Sequence, residues 1–382
     1  MSGYLVVLLV SIGVTVAVTP GVRWLALRLR VVQAPDERRI HTKPTPVLGG
    51  LSLYLGFVAG FATASQLDQF DPVFTGTSEP IGVFVGATLT FLLGLLDDVR
   101  ELSPPAKMSG QVLAASLMSL LGVTMLFFRL PFLGNWALSP DLAPLVTVLW
   151  VLGMATAINY IDGLDGLAAG ITAIAAGSFA LYSDRLFDQG LLPNASNSVS
   201  PLLAVIVVGI CVGFLPWNFH PARIFMGDSG ALLLGVLMAA STLLVGGQTA
   251  ASTSGTTFFF FAPLLIPLVI LGVPIFDVVF SSVRRARRRD SVVDADPKDH
   301  LHARLLLLGH GHRRAVLILW AWTAILSGLV LWPVYSDMST GWLPFALAAM
   351  AVGLYTVLHP EVRRRREADQ LELDLTDRGS SR

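Results

Sequence analysis

The chain has 382 residues, 54% of them hydrophobic and 14% charged, with 26 basic side chains against 26 acidic ones and a mean hydropathy of +0.68. A soluble domain carries about 25% charged residues, and this composition excludes a disordered chain and a collagen-like fibre. A disulfide scaffold is excluded too, because Cys211 is the single cysteine.

The apolar residues gather into runs of about the 20 residues that an α-helix needs to cross a bilayer. Eleven spans are expected, near 2–19, 47–66, 80–96, 108–127, 143–158, 167–183, 201–215, 230–246, 257–281, 314–333 and 342–358. The first has no basic segment before it and is followed by Arg23, Arg28 and Arg30, so it reads as an anchor rather than a secretion signal. With the N-terminus outside, 24 of the 26 Lys and Arg fall on inside segments, and only Arg129 and Arg185 fall outside. Basic loops stay in the cytoplasm. The expected fold is therefore an all-α integral membrane protein with the N-terminus outside and the C-terminus cytoplasmic. One polytopic domain covers 1–360, and 361–382 forms a charged cytoplasmic tail without a packed structure.

The outside loops are bland, and five inside segments carry the unusual chemistry. The first runs from His41 through Lys43 to Gly49 and Gly50, where prolines and paired glycines suit a rigid turn with a close helix approach, and Lys43 suits an anion. The second joins Asp97 and Asp98 to Lys107. Two adjacent carboxylates at a helix C-terminus repel each other and oppose the helix dipole, a placement with no structural benefit. The third holds Asn159, Asp162 and Asp165 at intervals of three, so one helical face could present all of them. It lacks the D-x-D-x-D-G pattern of a calcium loop.

The fourth segment runs from Trp217 through Asn218, His220 and Arg223 to Gly227-Asp228-Ser229-Gly230. A serine-protease reading of Ser229 needs a soluble scaffold and suitable partners, whereas Asp228 beside flexible glycine suits a hard cation. The fifth contains His300, His302, Arg304, His310 and His312. Without cysteine partners or a HExxH helix it fits a phosphate clamp better than zinc. If these loops converge, carboxylates mixed with Lys, Arg and His suit a phosphate substrate bridged by Mg²⁺ at the cytosolic surface, with one lipid and one soluble substrate. A secondary transporter is the competing class, but its ionisable groups belong near the bilayer midplane, and here Asp277 is the nearest to that position. A non-catalytic lipid-binding scaffold would not need so many acids.

Taken together and in order, Lys43–Gly50, Leu96–Lys107, Asn159–Gly170, Asn218–Gly230 and His300–Arg314 resemble the polyprenyl-phosphate N-acetylhexosamine-1-phosphate transferase family, in particular its WecA-type branch. The resemblance implies transfer of a sugar-1-phosphate, N-acetylglucosamine first, from a UDP-N-acetylhexosamine onto undecaprenyl or decaprenyl phosphate. It implies Mg²⁺, with Mn²⁺ as a substitute, a bacterial cytoplasmic membrane, and no nucleic-acid partner; a homodimer is compatible with it.

By position it makes Asp97, Asp98 and Asp228 catalytic and gives Asp228 and Asn159 to the metal. It assigns Lys43, Lys107, Asp162, Asp165, Asn218, Arg223, His300, His302 and Arg304 to the substrates. Ala303 departs from the His-Leu-His-His-Arg usual in this branch. The triple histidine of the muramyl-pentapeptide branch is missing. A prenyl phosphate with a second pKa near about 6 is mostly dianionic at neutral pH, which favours direct attack over a covalent aspartyl-phosphate route.

Overall fold

A computed structural model describes residues 2–33, 44–130, 134–188, 198–246, 305–306, 310–335 and 342–358. The chain folds into helices α1 (Ser2–Leu29), α2 (Gly49–Ala64), α3 (Asp71–Gly76), α4 (Glu79–Arg100), α5 (Pro104–Leu120), α6 (Leu142–Ile161), α7 (Leu167–Asp188), α8 (Ser200–Asn218), α9 (Gly227–Gly246), α10 (His312–Tyr335) and α11 (Trp342–Leu358). Seven of them (α1, α4 and α6–α10) are long and apolar enough to cross a membrane. An eighth span is added if α2 and the 68–76 segment, bent by 90° from each other, count as one. The chain is a multi-pass membrane protein.

Ten of the eleven expected spans coincide with described helices, and 257–281 lies outside the described residues, as does the 361–382 tail. Two differences stand out. The run expected over 108–127 stops as a helix at Leu120; Gly122 takes a left-handed φ of +98° and the chain enters a hairpin, β3 (Phe127–Leu130) against β4 (Gly134–Ala137). A short apolar run does not distinguish strand from helix by periodicity. A second two-residue pairing joins β1 (Val32–Gln33) to β2 (Thr45–Pro46), so the fold is nearly, not wholly, helical.

Helix α9 is the centre of the bundle, packed on α2, α4, α6 and α8, while α1 packs on α2 and α8, and α7 on α8 and α10. Leu232, Leu233, Leu234, Val236 and Leu237 of α9 are all buried. Peripheral helices leave Leu5, Leu9, Leu92, Leu113, Leu145 and Leu149 exposed, which is the surface that lipid chains cover. The approach of α4 to α9 depends on Gly94, where a Cβ would lie 2.5 Å from Ser229 Cα.

Candidate active site

The polar ends of the helices meet on one side of the bundle. Phe225 N–H donates to the Pro46 carbonyl, and Gly49 and Gly50 N–H donate back to the carbonyls of Phe225 and Met226 at 2.9 and 2.8 Å. The segment before α2 is thereby joined to the segment before α9, the close helix approach expected for the paired glycines. A cavity of about 1180 Å³ opens beside this junction. Its walls include Arg30 and Gln33 beyond α1, Asp97–Leu102 at the end of α4, Asn159 and Asp162–Asp165 at the α6–α7 turn, Asn218, and Gly227 with Asp228.

The two adjacent aspartates of α4 do different things. Asp98 points at the N-terminus of α9. Its Oδ1 accepts from Asp228 N–H at 2.7 Å, and its Oδ2 accepts from Ser229 N–H at 3.1 Å and Ser229 Oγ–H at 2.6 Å. A carboxylate supplied by another helix thus caps the positive end of α9 and satisfies its otherwise orphaned donors. Gly227 permits the approach: its φ is +67°, and a Cβ there would fall 2.6 Å from both Asp98 oxygens.

Asp97 instead turns toward Lys107. Its Oδ1 accepts from Leu102 N–H at 2.6 Å, closing the turn after α4, and its Oδ2 lies 2.8 Å from Lys107 Nζ. Lys107 Nζ also donates to Asp228 Oδ2 at 2.5 Å, and Asn159 Nδ2 donates to Asp228 Oδ1 at 2.8 Å. Burial works against the Lys107 ammonium, but the Asp228 and Asp97 carboxylates outweigh it and hold the group above the ordinary lysine value. Burial raises Asp162 well above the ordinary carboxylate range, and the charges of Asp228, Asp98 and Asp165 add to the effect. Asp97, Asp98, Asp162 and Asp228 thus crowd together, with Lys107 paired to two of them. The Asp228 side chain is 32% exposed and faces the cavity.

Asp165 and Asn218 line the cavity but are held from behind. Asp165 is 6% exposed; its Oδ2 accepts from His220 Nδ1–H at 2.7 Å and from Ala222 N–H at 3.0 Å. Asn218 accepts from Gly166 N–H at 3.0 Å and donates to the Ile224 carbonyl at 3.1 Å, tying two connections together. Arg223 does not join the cavity wall: its guanidinium lies 5.6 Å over the Trp217 ring, and its carbonyl accepts from Arg23. Lys43, His300, His302 and Arg304 fall outside the described residues. Sequence reasoning missed Ser229, His220 and His312 as site residues. All three stand inside the segments it quoted, but nothing in their spacing shows what they touch.

The arrangement defines a site at the helix ends of a membrane protein, with crowded acids, one bridging lysine and room for a nucleotide-sized ligand. A family model described as glycosyl transferase family 4 matches residues 80–246. The decaprenyl-phosphate N-acetylglucosaminephosphotransferase of Mycobacterium leprae is 36% identical over 350 residues, covering 89% of this chain and 86% of that protein. The probable undecaprenyl-phosphate N-acetylglucosaminyl 1-phosphate transferase of Bacillus subtilis is 35% identical over 315 residues, covering 82% and 80%. The phospho-N-acetylmuramoyl-pentapeptide-transferase of Streptomyces avermitilis is 30% identical over 240 residues, 54% of this chain and 66% of that protein. The chain belongs to the polyprenyl-phosphate N-acetylhexosamine-1-phosphate transferase family, and it is a glycosyl-1-phosphate transferase.

Proposed function

We propose that the chain transfers N-acetylglucosamine-1-phosphate from UDP-GlcNAc to a decaprenyl or undecaprenyl phosphate, in a Mg²⁺-dependent reaction at the cytosolic end of the bundle. The observation that carries this reading is the cluster of Asp97, Asp98, Asp162 and Asp228 in the cavity wall, with Lys107 bridging Asp97 and Asp228 behind it. Its negative excess suits a divalent cation and phosphate oxygens and suits a neutral ligand poorly. The names of the Mycobacterium leprae and Bacillus subtilis relatives support the lipid and the sugar. The orientation, N-terminus outside and C-terminus cytoplasmic, rests on the 24 basic residues of the inside segments. The same reading gives eleven spans in a bacterial cytoplasmic membrane and makes this the first membrane step of a cell-wall or surface glycan.

In the reaction an oxygen of the prenyl phosphate attacks the β-phosphorus of UDP-GlcNAc. The bond from that phosphorus to the α–β bridging oxygen breaks, and the products are polyprenyl-diphosphate-GlcNAc and UMP. Asp228 and Asn159, hydrogen-bonded to each other at the cavity wall, are the residues that would hold Mg²⁺, with the Asn159 amide turned so that its oxygen faces the ion. Bound there, the cation would neutralise charge that builds up on the diphosphate. Lys107 holds Asp97 and Asp228 together and adds positive charge beside the phosphates. Asp97 positions the acceptor phosphate or takes its residual proton. Asp98 holds the N-terminus of α9, and so Asp228, in place.

The test is UMP release by the purified chain from UDP-GlcNAc and polyprenyl phosphate, with Mg²⁺ and then with EDTA. Release that needs both the lipid and the metal supports the reading. No release from any UDP-N-acetylhexosamine overturns it. A stoichiometric burst of UMP without lipid would replace direct attack by the covalent route.

A further inference from the structure

Among the described residues, Asp165, His220 and His312 present ligand atoms that all lie within 4.8 Å of one another, a grouping that at first suggests a metal centre. The geometry opposes it. His312 Nε2 already accepts the Asp165 backbone N–H at 2.9 Å, so its lone pair is engaged. The His220 and His312 rings stack with centroids 4.2 Å apart and planes inclined by 19°. Their nitrogen lone pairs point within two nearly parallel planes that meet only well beyond the bonding distance of about 2 Å, so no single ion lies in both and within reach of both rings. His220 Nδ1–H is directed at Asp165 Oδ2.

We propose that Asp165, His220 and His312 form a metal-free clasp in which the two histidines are positioning residues for the substrate-binding wall of the cavity at Asp162–Asp165. Three separate segments meet in it. The α6–α7 turn supplies Asp165, the α8–α9 connection supplies His220 and the Ala222 N–H, and the start of α10 supplies His312. Arg313 Nε adds a 3.0 Å bond to the His220 carbonyl, so α10 grips the α8–α9 connection twice.

The turn held this way, Asp162–Asp165, is a wall of the cavity. Neither histidine needs to touch a reacting atom. Each fixes the turn that walls the cavity. To accept the Asp165 amide, the neutral His312 ring carries its proton on Nδ1.

This inference rests on the proposed reaction for its kinetic readout, and hydrogen exchange tests it independently. The full chain in detergent is compared as wild type, H312L and H312Q, the last because a glutamine oxygen can reach the position of Nε2. In H312L the KM for UDP-GlcNAc is expected to rise about tenfold, the loss of one buried acceptor, with kcat unchanged. H312Q should bring that KM back to within about twofold of wild type. Amide exchange in the peptide spanning 162–166 should quicken in H312L and not in H312Q.

A lower kcat with unchanged KM in H312L would indicate a structural role alone and overturn the proposal. So would equal damage in H312Q, unchanged exchange in H312L, or stoichiometric zinc in the wild type that H312L loses. If the wild type releases no UMP while the exchange difference holds, the clasp stands and the reaction falls. If turnover is normal and the variants do not differ, the reaction stands and the clasp falls.

Discussion

The two sides of the cavity use carboxylates in opposite ways. On the α4–α9 side, Asp97 and Asp228 share one lysine, and the Asp228 side chain remains 32% exposed to the cavity. On the α6–α7 side, Asp165 is turned into a hydrogen-bonded knot with His220, Ala222 and His312. The first side leaves charge for a ligand to neutralise, whereas the second uses charge to fix the chain. Between them stands Asp98, next to Asp97 in sequence yet engaged with α9 in the manner of the second side. What donates to its two oxygens, not its place in a motif, decides what an aspartate does here.

The largest expected effect is on the reacting side. Asp228→Asn removes charge from the proposed cation site and should lower kcat/KM by about 10³-fold, several kcal/mol of lost charge stabilisation, with the protein still eluting as a folded species. Lys107→Met comes next. Asp97 and Asp228 would then face each other without their shared cation, and kcat/KM should fall about 10²-fold. Lys107→Arg, which keeps the charge, should recover part of that loss. Steady-state kinetics on the three proteins would check the order.

A smaller effect separates charge crowding from function. Asp162 holds its proton well above the ordinary carboxylate range because of burial first and the Asp228, Asp98 and Asp165 charges next. The folded state therefore binds more protons than the unfolded state over the interval between the two pKa values, and stability falls as pH rises through it. The contribution is full below the unfolded value and is lost above the folded one. Asp162→Asn removes this dependence. In EDTA its melting temperature should exceed that of wild type only slightly near about pH 5 and more clearly near about pH 8. A gap that narrows as pH rises would contradict the crowding account.

Much of this was legible in the sequence. Hydrophobic run length placed ten of the described helices, and residues of four of the five segments with odd chemistry line one cavity, the fifth lying largely outside the described residues. The roles within them were not legible. Asp165 and its histidine partners are 55 and 147 positions apart, and only the packing of α7 on α8 and α10 brings them together. Ser229 looked like part of a misplaced protease motif, and its real contact is Asp98, 131 positions earlier. The resemblance assigns Arg223 to the substrates, and the structure places its guanidinium over the Trp217 ring, outside the cavity wall. The hairpin at Phe127–Ala137 escaped because an apolar run of that length fits a strand and a helix equally.

The most direct test of the division is the neighbouring pair Asp97→Asn and Asp98→Asn, measured for both turnover and melting temperature. Asp97→Asn should lose about 10²-fold in kcat with its melting temperature close to wild type. Asp98→Asn, which weakens the cap on α9, should lower the melting temperature by about 5 °C and cost less turnover than its neighbour. The reverse pattern, a stable but inactive Asp98→Asn beside an active and unstable Asp97→Asn, would contradict the assignment of the two carboxylates.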